Sequence, residues 1–320
     1  MTTYLVTGAG GFIGSHVTDR LLAEGKDVIG VDNLSTGRIA NLAEARSYGQ
    51  RFNFYDLDIG SEGLGQVMAR HAPEVVLHLA AQSGVRPSLS DPIHDARVNV
   101  IGTLNVLEAA GAAGARKVVY AASGGTLYGS PSTFPVRERQ RSSGRPESPY
   151  GISKRVVLDY LEYYRRSRGL DFTALALANV YGPRQDPHGE AGVVAIFART
   201  MLAGNQPVVH GDGSQTRDYV FIDDTVHAFA LACGEKASGE LLNVATGIET
   251  SVTGIFRTIA AIVGYTGEPR FEPAADAGVA RSSLNIERVQ AQLGWRPWTT
   301  LEDGLAETVA FLRGDDQAAV

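Results

Sequence analysis

Gly8-Ala9-Gly10-Gly11-Phe12-Ile13-Gly14 is the stretch on which the fold turns. It follows an apolar pentapeptide, Thr3–Thr7, that reads as a short buried strand. It runs into Phe12–Glu24, where Ile13, Val17, Leu21 and Leu22 recur at helical spacing. Gly8, Gly11 and Gly14 are spaced G-x-x-G-x-x-G. The first allows a tight turn, the second lets backbone approach a pyrophosphate, and the third lets helix pack closely on strand. Unpaired N–H groups at the helix start would face the phosphates. A second strand, Asp27–Val31, leads into Asp32, which lies 18 residues beyond Gly14. That is close to the spacing of about 20 for an acid that binds the adenosine ribose. A carboxylate there accepts from both ribose hydroxyls and repels a 2′-phosphate. The residues that follow are Asn33, Leu34, Ser35, Thr36 and Gly37, with no arginine beside the acid. The stretch therefore predicts NAD rather than NADP.

Working outward, strand-like and helix-like segments alternate. Arg51–Tyr55, Glu74–Leu79, Lys117–Ala121 and Phe172–Leu177 read as strands. Gly63–Arg70, a long Ile93–Ala113 and Pro149–Arg168 read as helices. Continuous apolar strands separated by helices indicate an α/β fold, a doubly wound parallel sheet of Rossmann type covered on both faces. Asp58 and Ile59 follow the third strand, where an adenine would lie; the alternative for Asp58 is to cap a helix beginning near Ser61. Leu79, Ala80, Ala81 and Gln82 end the fourth strand, and their small members would let a cofactor lie flat; a bland strand end is the alternative. Beyond about residue 180 the rhythm changes to frequent Gly and Pro with short strands. The expected organisation is a nucleotide-binding domain over 1–178, with 221–245 returning to it, and a smaller mixed α/β substrate-binding lobe over 179–220 and 246–320. The Pro- and Arg-rich segment Ser130–Ser148 reads as a solvated surface loop.

Composition narrows the field. The chain has 320 residues, 29 Lys and Arg against 35 Asp and Glu, and a formal net charge of −6. Nucleic acid is not expected as a partner. One cysteine, Cys233, excludes an intramolecular disulfide framework and fits a reducing compartment. No secretory signal or membrane-spanning run is visible, so a cytoplasmic protein is expected. The seven histidines show no metal-ligand spacing, and no metal is expected. Glycine is abundant, 37 residues or nearly 12%, against about 7% in ordinary chains, which makes its placement informative.

Tyr150-Gly151-Ile152-Ser153-Lys154 is Y-x-x-x-K at the start of a predicted helix. Residues i and i+4 share a face. An ammonium beside a phenol, or a nicotinamide cation near it, favours the phenolate. A tyrosine, with its ordinary pKa of about 10, could then act as a base near neutral pH.

With these segments in order the chain resembles the extended short-chain dehydrogenase/reductases, and among them the UDP-sugar 4-epimerases. The matching stretches run TGAGGFIG, VDNLSTGR, HLAAQ, NVIGTLNVLEAA, SGGTLYG, SPYGISK, NVYGPRQDPHGEAG and TRDYVFIDD, from Thr7 to Asp224. SSLNIERVQAQLGWRP fits as well. The resemblance implies that Tyr150 removes the sugar C4-hydroxyl proton, that the C4 hydride passes to NAD, and that both return to the other face after the 4-keto sugar swings. It implies that Lys154 holds the nicotinamide ribose, that Asn99 lies on the cofactor side, and that Val180 borders the cofactor. A hydroxyl after the fifth strand normally relays the proton. The matching position here is Gly124, so Ser123 or Thr126 must supply it, Thr126 being slightly favoured; the alternative is that both are turn residues.

On the nucleotide–sugar side, the resemblance implies that Asn179 contacts the diphosphate or sugar and that Arg217 binds the diphosphate. Gly192, Val193 and Val194 open a helix whose N–H groups could meet phosphate, and Val208, Val209 and His210 would line the uracil. Relatives carry an Arg-Pro-Gly-Glu/Asp run before SSL; this chain has Asp276-Ala277-Gly278-Val279, and Arg281 is as readily a replacement arginine as not. The sugar is left between two readings. Ser83-Gly84-Val85-Arg86 resembles a uronate-epimerase loop, with Arg86 or Arg184 as a cation for the carboxylate. Asp186 and the PRQDPHGEAG run look like a UDP-glucose/UDP-galactose enzyme, which is the favoured reading. A 4,6-dehydratase would need an Asp/Glu pair where Gly125 and Thr126 stand, and a non-catalytic NAD-binding regulator would not need Tyr150 and Lys154. The resemblance also suggests a homodimer formed by Ile93–Ala113 and Pro149–Arg168.

Overall fold

Strand alternation sets the layers of the molecule, seen in a computed structural model that describes residues 2–142, 144–187, 192–273 and 279–318. In Thr3–Thr7, Tyr4 and Val6 face one side and Leu5 the other. The first side packs Val17, Leu21 and Leu22 of the Phe12–Ala23 helix and Val226 and Phe229 of the Ile222–Ala232 helix. The second packs Leu64 and Met68, Val106 and Leu107, and Val157, Leu158 and Leu161 from three further helices. Both faces of the sheet are thus dry, as its unbroken apolar strands require.

Seven strands form the sheet, in the order Glu240–Val244, Asp171–Leu177, Lys117–Ser123, Val75–His78, Thr3–Thr7, Asp27–Asp32 and Phe52–Asp56. Every pairing is parallel, with Thr7 opposite His78 and Asp32 opposite Asp56. The chain moves outward from Thr3–Thr7 through the second and third strands, then crosses to its other side. A crevice opens at the carboxyl ends of the strands where the order reverses, the usual ligand position in such sheets. The seventh strand, Glu240–Val244, comes from the segment expected to return. Beyond it, the helices Val193–Leu202, Val252–Val263 and Leu301–Ala318 share the first face's core, where Phe197 and Phe256 meet edge to face. Among the described residues no helix is long and apolar enough to cross a membrane.

Two expectations are corrected. The helix expected over Ile93–Ala113 is three pieces: Pro92–Ala96, a π-helical turn Arg97–Gly102, and Thr103–Ala112. Asp91 caps the first, accepting from the His94 N–H with Pro92 at the opening position. The Thr103 hydroxyl donates to the Asn99 carbonyl at 2.6 Å, competing with the regular ladder at the turn. Second, Ser130–Ser148 is not simply solvated. Val136 is buried and exchanges backbone bonds with Ser283 and Asn285, and the buried Glu138 carboxylate accepts from the Asn243 N–H at 2.9 Å. The segment clasps the seventh strand to the 283–285 chain.

Candidate functional site

The crevice has a dinucleotide end built from backbone. Gly8 has φ +73°, and a Cβ on it would lie 2.8 Å from the Ala80 nitrogen. A Cβ on Gly14 would lie 1.9 Å from the Gly8 carbonyl oxygen. A Cβ on Gly11 meets only that same oxygen, at 3.2 Å, with open space beyond. No side chain caps the helix start at Gly11, so its first-turn N–H groups are left for an anion. Phe12 and Ile13 begin that helix, half-buried.

Asp32 is buried and accepts from the Gly10 and Leu34 N–H groups, each at 2.8 Å. Burial nonetheless pushes its carboxyl above the usual range. A Cβ on Gly37 would sit 2.9 Å from both carboxylate oxygens, so the glycine keeps them open. Asn33 donates to Asp58 at 2.7 Å and accepts from the Ser35 N–H, ordering the loop that carries exposed Thr36. Asp58 also accepts from the Gly60 N–H, and Ile59 beside it is buried. The Leu79 and Ala80 N–H groups both donate to the Thr7 hydroxyl, and Ala81 follows at the strand end. Asn99 and Gln82 exchange two hydrogen bonds, at 3.0 and 2.9 Å, while Gln82 Oε1 is buried without a partner. A helix start with free N–H groups, a carboxylate at the second strand's end kept clear by Gly37, and a buried amide oxygen unpaired among the described residues fit NAD.

Tyr150 and Lys154 lie on the Pro149–Arg168 helix, which Ser148 caps by accepting from the Gly151 N–H. Both are buried. Lys154 Nζ donates to the Ala121 carbonyl at 3.0 Å and stands 5.8 Å from the Tyr150 ring centre. The expected easing of the phenol by the ammonium does not dominate. Burial pushes the Tyr150 phenol up to about 12, with the Ser123 hydrogen bond opposing. Burial likewise pulls the Lys154 ammonium down to about 8. Of the two candidate hydroxyls, Ser123 is the one that acts on the phenol, opposing the effect of burial. Thr126 Oγ1 is buried without a partner among the described residues. Gly124 does not vacate space beside the phenol: a Cβ there would fall 2.3 Å from Leu284 Cδ1 and 3.1 Å from the Leu177 carbonyl. Its side-chain direction runs into the packed seam, whereas Gly125 faces open space.

On the far side of the crevice, the short strand Asn179–Tyr181 pairs with Tyr219–Phe221, placing Asn179 and Val180 half-exposed. Gly192 opens the Val193–Leu202 helix; Val194 is buried, so only its backbone could face a ligand. Val208–His210 pairs with Arg270–Glu272, with Val209 in the core and His210 exposed. Arg217 donates to the Thr216 carbonyl and has no acidic partner among the described residues. Burial lowers its pKa. Arg281 is differently placed. It makes a two-pronged pair with Glu249, at 3.0 and 2.7 Å, which also accepts from Thr216 and Ser283. These contacts hold the Glu249 carboxyl down to about 2. Arg184 is paired with Asp19 at 2.6 Å and with Glu44, and Asp186 with Arg38 at 3.0 Å. Arg86 is exposed at the start of the Val85–Ser90 helix. Residues 188–191 of the PRQDPHGEAG run and Asp276, Ala277 and Gly278 lie outside the described residues.

Three carboxylates escaped the sequence reading. Asp95, Asp218 and Glu249 each gather donors from distant segments. Asp95 stood four residues before Asn99 and Asp218 beside Arg217 in the TRDYV stretch, whereas Glu249 left no such trace.

The model of the NAD dependent epimerase/dehydratase family matches residues 4–245. A UDP-glucose 4-epimerase of Mycolicibacterium smegmatis is 49% identical over 313 residues, covering 98% of this chain and 99% of that protein. The structure of a Thermotoga maritima UDP-glucose 4-epimerase with UDP-glucose is 43% identical, with TM-score 0.93 over 98% of this chain and 99% of that one. A Thermus thermophilus UDP-glucose 4-epimerase in complex with NAD is 38% identical, with TM-score 0.90 and the same coverage.

Proposed function

The chain belongs to the NAD-dependent epimerase/dehydratase family, within the extended short-chain dehydrogenase/reductases, and on that premise we propose that it inverts C4 of a UDP-hexose, interconverting UDP-glucose and UDP-galactose. The observation that carries the reading is the buried Tyr150 phenol, with Lys154 Nζ 5.8 Å from its ring centre and Ser123 acting on it, at the end of the fifth strand beside the Gly8–Gly14 turn. When bound, NAD supplies a reversible hydride acceptor for C4 and a positive charge beside the phenol. Tyr150 takes the C4-hydroxyl proton and gives it back. Ser123 donates to the phenol oxygen and links it to the sugar hydroxyl, and the unpaired Thr126 hydroxyl is a further contact for the sugar. Lys154 holds the cofactor's ribose from the side of Ala121. Arg217, a cation with no acidic partner among the described residues, binds the diphosphate with Asn179 and the Gly192–Val194 backbone. In this reading 1–178 with 221–245 carries the cofactor, and 179–220 with 246–320 carries the UDP-sugar.

A neutral hexose is favoured over a uronate. A buried carboxylate needs a cation; of the two offered for it, Arg86 and Arg184, Arg184 is engaged by Asp19 and Glu44, and the 49% identical relative is a UDP-glucose 4-epimerase. The test is turnover of UDP-galactose and UDP-glucuronate by purified protein without added cofactor. The expected result is UDP-glucose formation, a kcat/KM favouring the neutral sugar, and a loss on Tyr150→Phe of roughly 10²–10⁴ in kcat with NAD still bound. Absence of turnover on both sugars removes the proposal.

A second copy of the chain is the proposed partner. Leu89, Ile93 and Ile101 of the 85–102 segment and Ile152 and Tyr163 of the Pro149–Arg168 helix are exposed on neighbouring helices, an apolar face that a dimer would cover. Sedimentation is expected to give a dimer, and Ile93→Glu a monomer; a parent that sediments as a monomer removes this proposal.

A further inference from the structure

Asp95 brings a carboxylate into the interior with no cation bonded to it among the described residues. It is fully buried on the short Pro92–Ala96 helix. Its Oδ2 accepts from the Ser153 hydroxyl at 2.6 Å, and its Oδ1 accepts from Asn99 Nδ2 at 2.9 Å. Ser153 immediately precedes Lys154. Asn99 is in turn bonded both ways to Gln82 at the cofactor-facing strand end. One carboxylate thus ties the helix carrying Tyr150 and Lys154 to the edge where the cofactor lies, across the π-helical turn that presents Asn99.

The charges are arranged in the same sense. Lys154 is a buried cation whose polar contact is a neutral carbonyl, Ala121, and whose Nζ lies 4.9 Å from the Tyr120 ring centre. A buried anion and a buried cation, neither bonded to another charge among the described residues, therefore share one interior. Two neutral donors offset only part of the cost of burying a full charge.

We propose that Asp95 is a positioning residue for the Tyr150–Lys154 couple: it fixes that helix through Ser153 and, by its charge, keeps Lys154 an ammonium. The proposal rests on the reading of Tyr150 and Lys154 given above. The titratable groups facing it are Tyr150 and Lys154 on the Pro149–Arg168 helix and Tyr120 on the fifth strand; His78 on the fourth faces Lys154 and is held neutral by burial. The Asp95 charge raises the pKa of both the Tyr150 phenol and the Lys154 ammonium. Removing it lowers both.

Asp95→Asn keeps the shape and removes the charge. The alkaline limb of kcat, where Lys154 loses its proton, is expected to move acidward by about one pH unit. Asp95→Glu is expected to restore most of that shift. Ultraviolet titration of tyrosinate, with Tyr150→Phe subtracted, reads the phenol without needing turnover and is expected to move the same way. Ser153→Ala, which leaves the charge, is expected to lower kcat several-fold with the limb unmoved. An unchanged limb and tyrosinate titration in Asp95→Asn would falsify the charge role, and unchanged kcat in Ser153→Ala removes the positioning role. Failure of the epimerase reading would show as no turnover in the parent, while the tyrosinate titration still decides for Asp95.

Discussion

The two ends of the crevice are held by different means. At the dinucleotide end the critical contacts are close approaches between backbone atoms: the Gly8 carbonyl under Gly14 and the Ala80 nitrogen against Gly8. At the nucleotide–sugar end they are side chains reaching across long stretches of sequence. The Asp218 carboxylate accepts from the Thr246 N–H and hydroxyl and from the Gly247 and Leu284 N–H groups, and Glu249 gathers Thr216, Arg281 and Ser283. Backbone contacts tolerate no added atom. Side-chain clusters can exchange one partner for another. The first end should therefore fail abruptly on substitution and the second by degrees.

Gly14→Ala is the sharpest break of that comparison. With the Gly8 carbonyl oxygen 1.9 Å from the new Cβ, the strand–helix turn has to move. The cost is that of overpacking, about 1–3 kcal/mol or more, and it falls on the atoms that face the pyrophosphate. The expected outcome is purified protein without NAD and without turnover, read by the absorbance of released nucleotide and by thermal melting with and without added NAD. Protein that retains NAD would mean the turn yields and the two ends are alike.

The same division explains what could be read beforehand. Gly8, Gly11, Gly14 and Asp32 act through spacing within one βαβ unit, and the Tyr150–Lys154 pair through one helical turn, so the chain order itself displays them. Six of the sheet's seven strands were legible for the same reason, because an apolar run bounded by turns is a local signal; Glu240–Val244 was expected only as part of a returning segment. What escaped depends on contacts between residues far apart. Leu284, 160 positions away, occupies the room a side chain at Gly124 would need. The Asn243–Glu138 clasp spans 105 positions and turned an apparently solvated loop inward. The π-helical turn hid inside a pattern whose apolar spacing still read as one helix, and with it Asp95.

Arg217→Ala is the intermediate case. A half-buried guanidinium that among the described residues donates to the Thr216 carbonyl has further donors for diphosphate oxygens. Hydrogen bonds to charged groups are worth about 1.5–3 kcal/mol, so KM for the UDP-sugar is expected to rise roughly tenfold to a hundredfold with NAD content unchanged. Steady-state kinetics check it, and an unchanged KM would remove Arg217 from the diphosphate site.

Arg281→Ala should do least. Its guanidinium is already met on two sides by Glu249 and lies over the Phe134 ring at 4.7 Å, and its side chain is 58% exposed. Exposed pairs of this kind contribute about 0–1 kcal/mol, so a change in KM below about fivefold is expected. Acid will not release it within the working range. The Glu249 carboxyl is held below its usual value, at about 2, so the pair persists at neutral pH and is lost only as pH falls from the ordinary carboxylate range toward 2. Glu249→Gln is the discriminating companion. If Arg281 is spent on Glu249, freeing it strengthens UDP-sugar binding and lowers KM. If instead Arg281 leaves Glu249 when substrate enters, Arg281→Ala raises KM as far as Arg217→Ala does. The two ends of the crevice would then differ less than their resting contacts imply, because an arginine held by a carboxylate would be serving as a reserve for the missing phosphate contact.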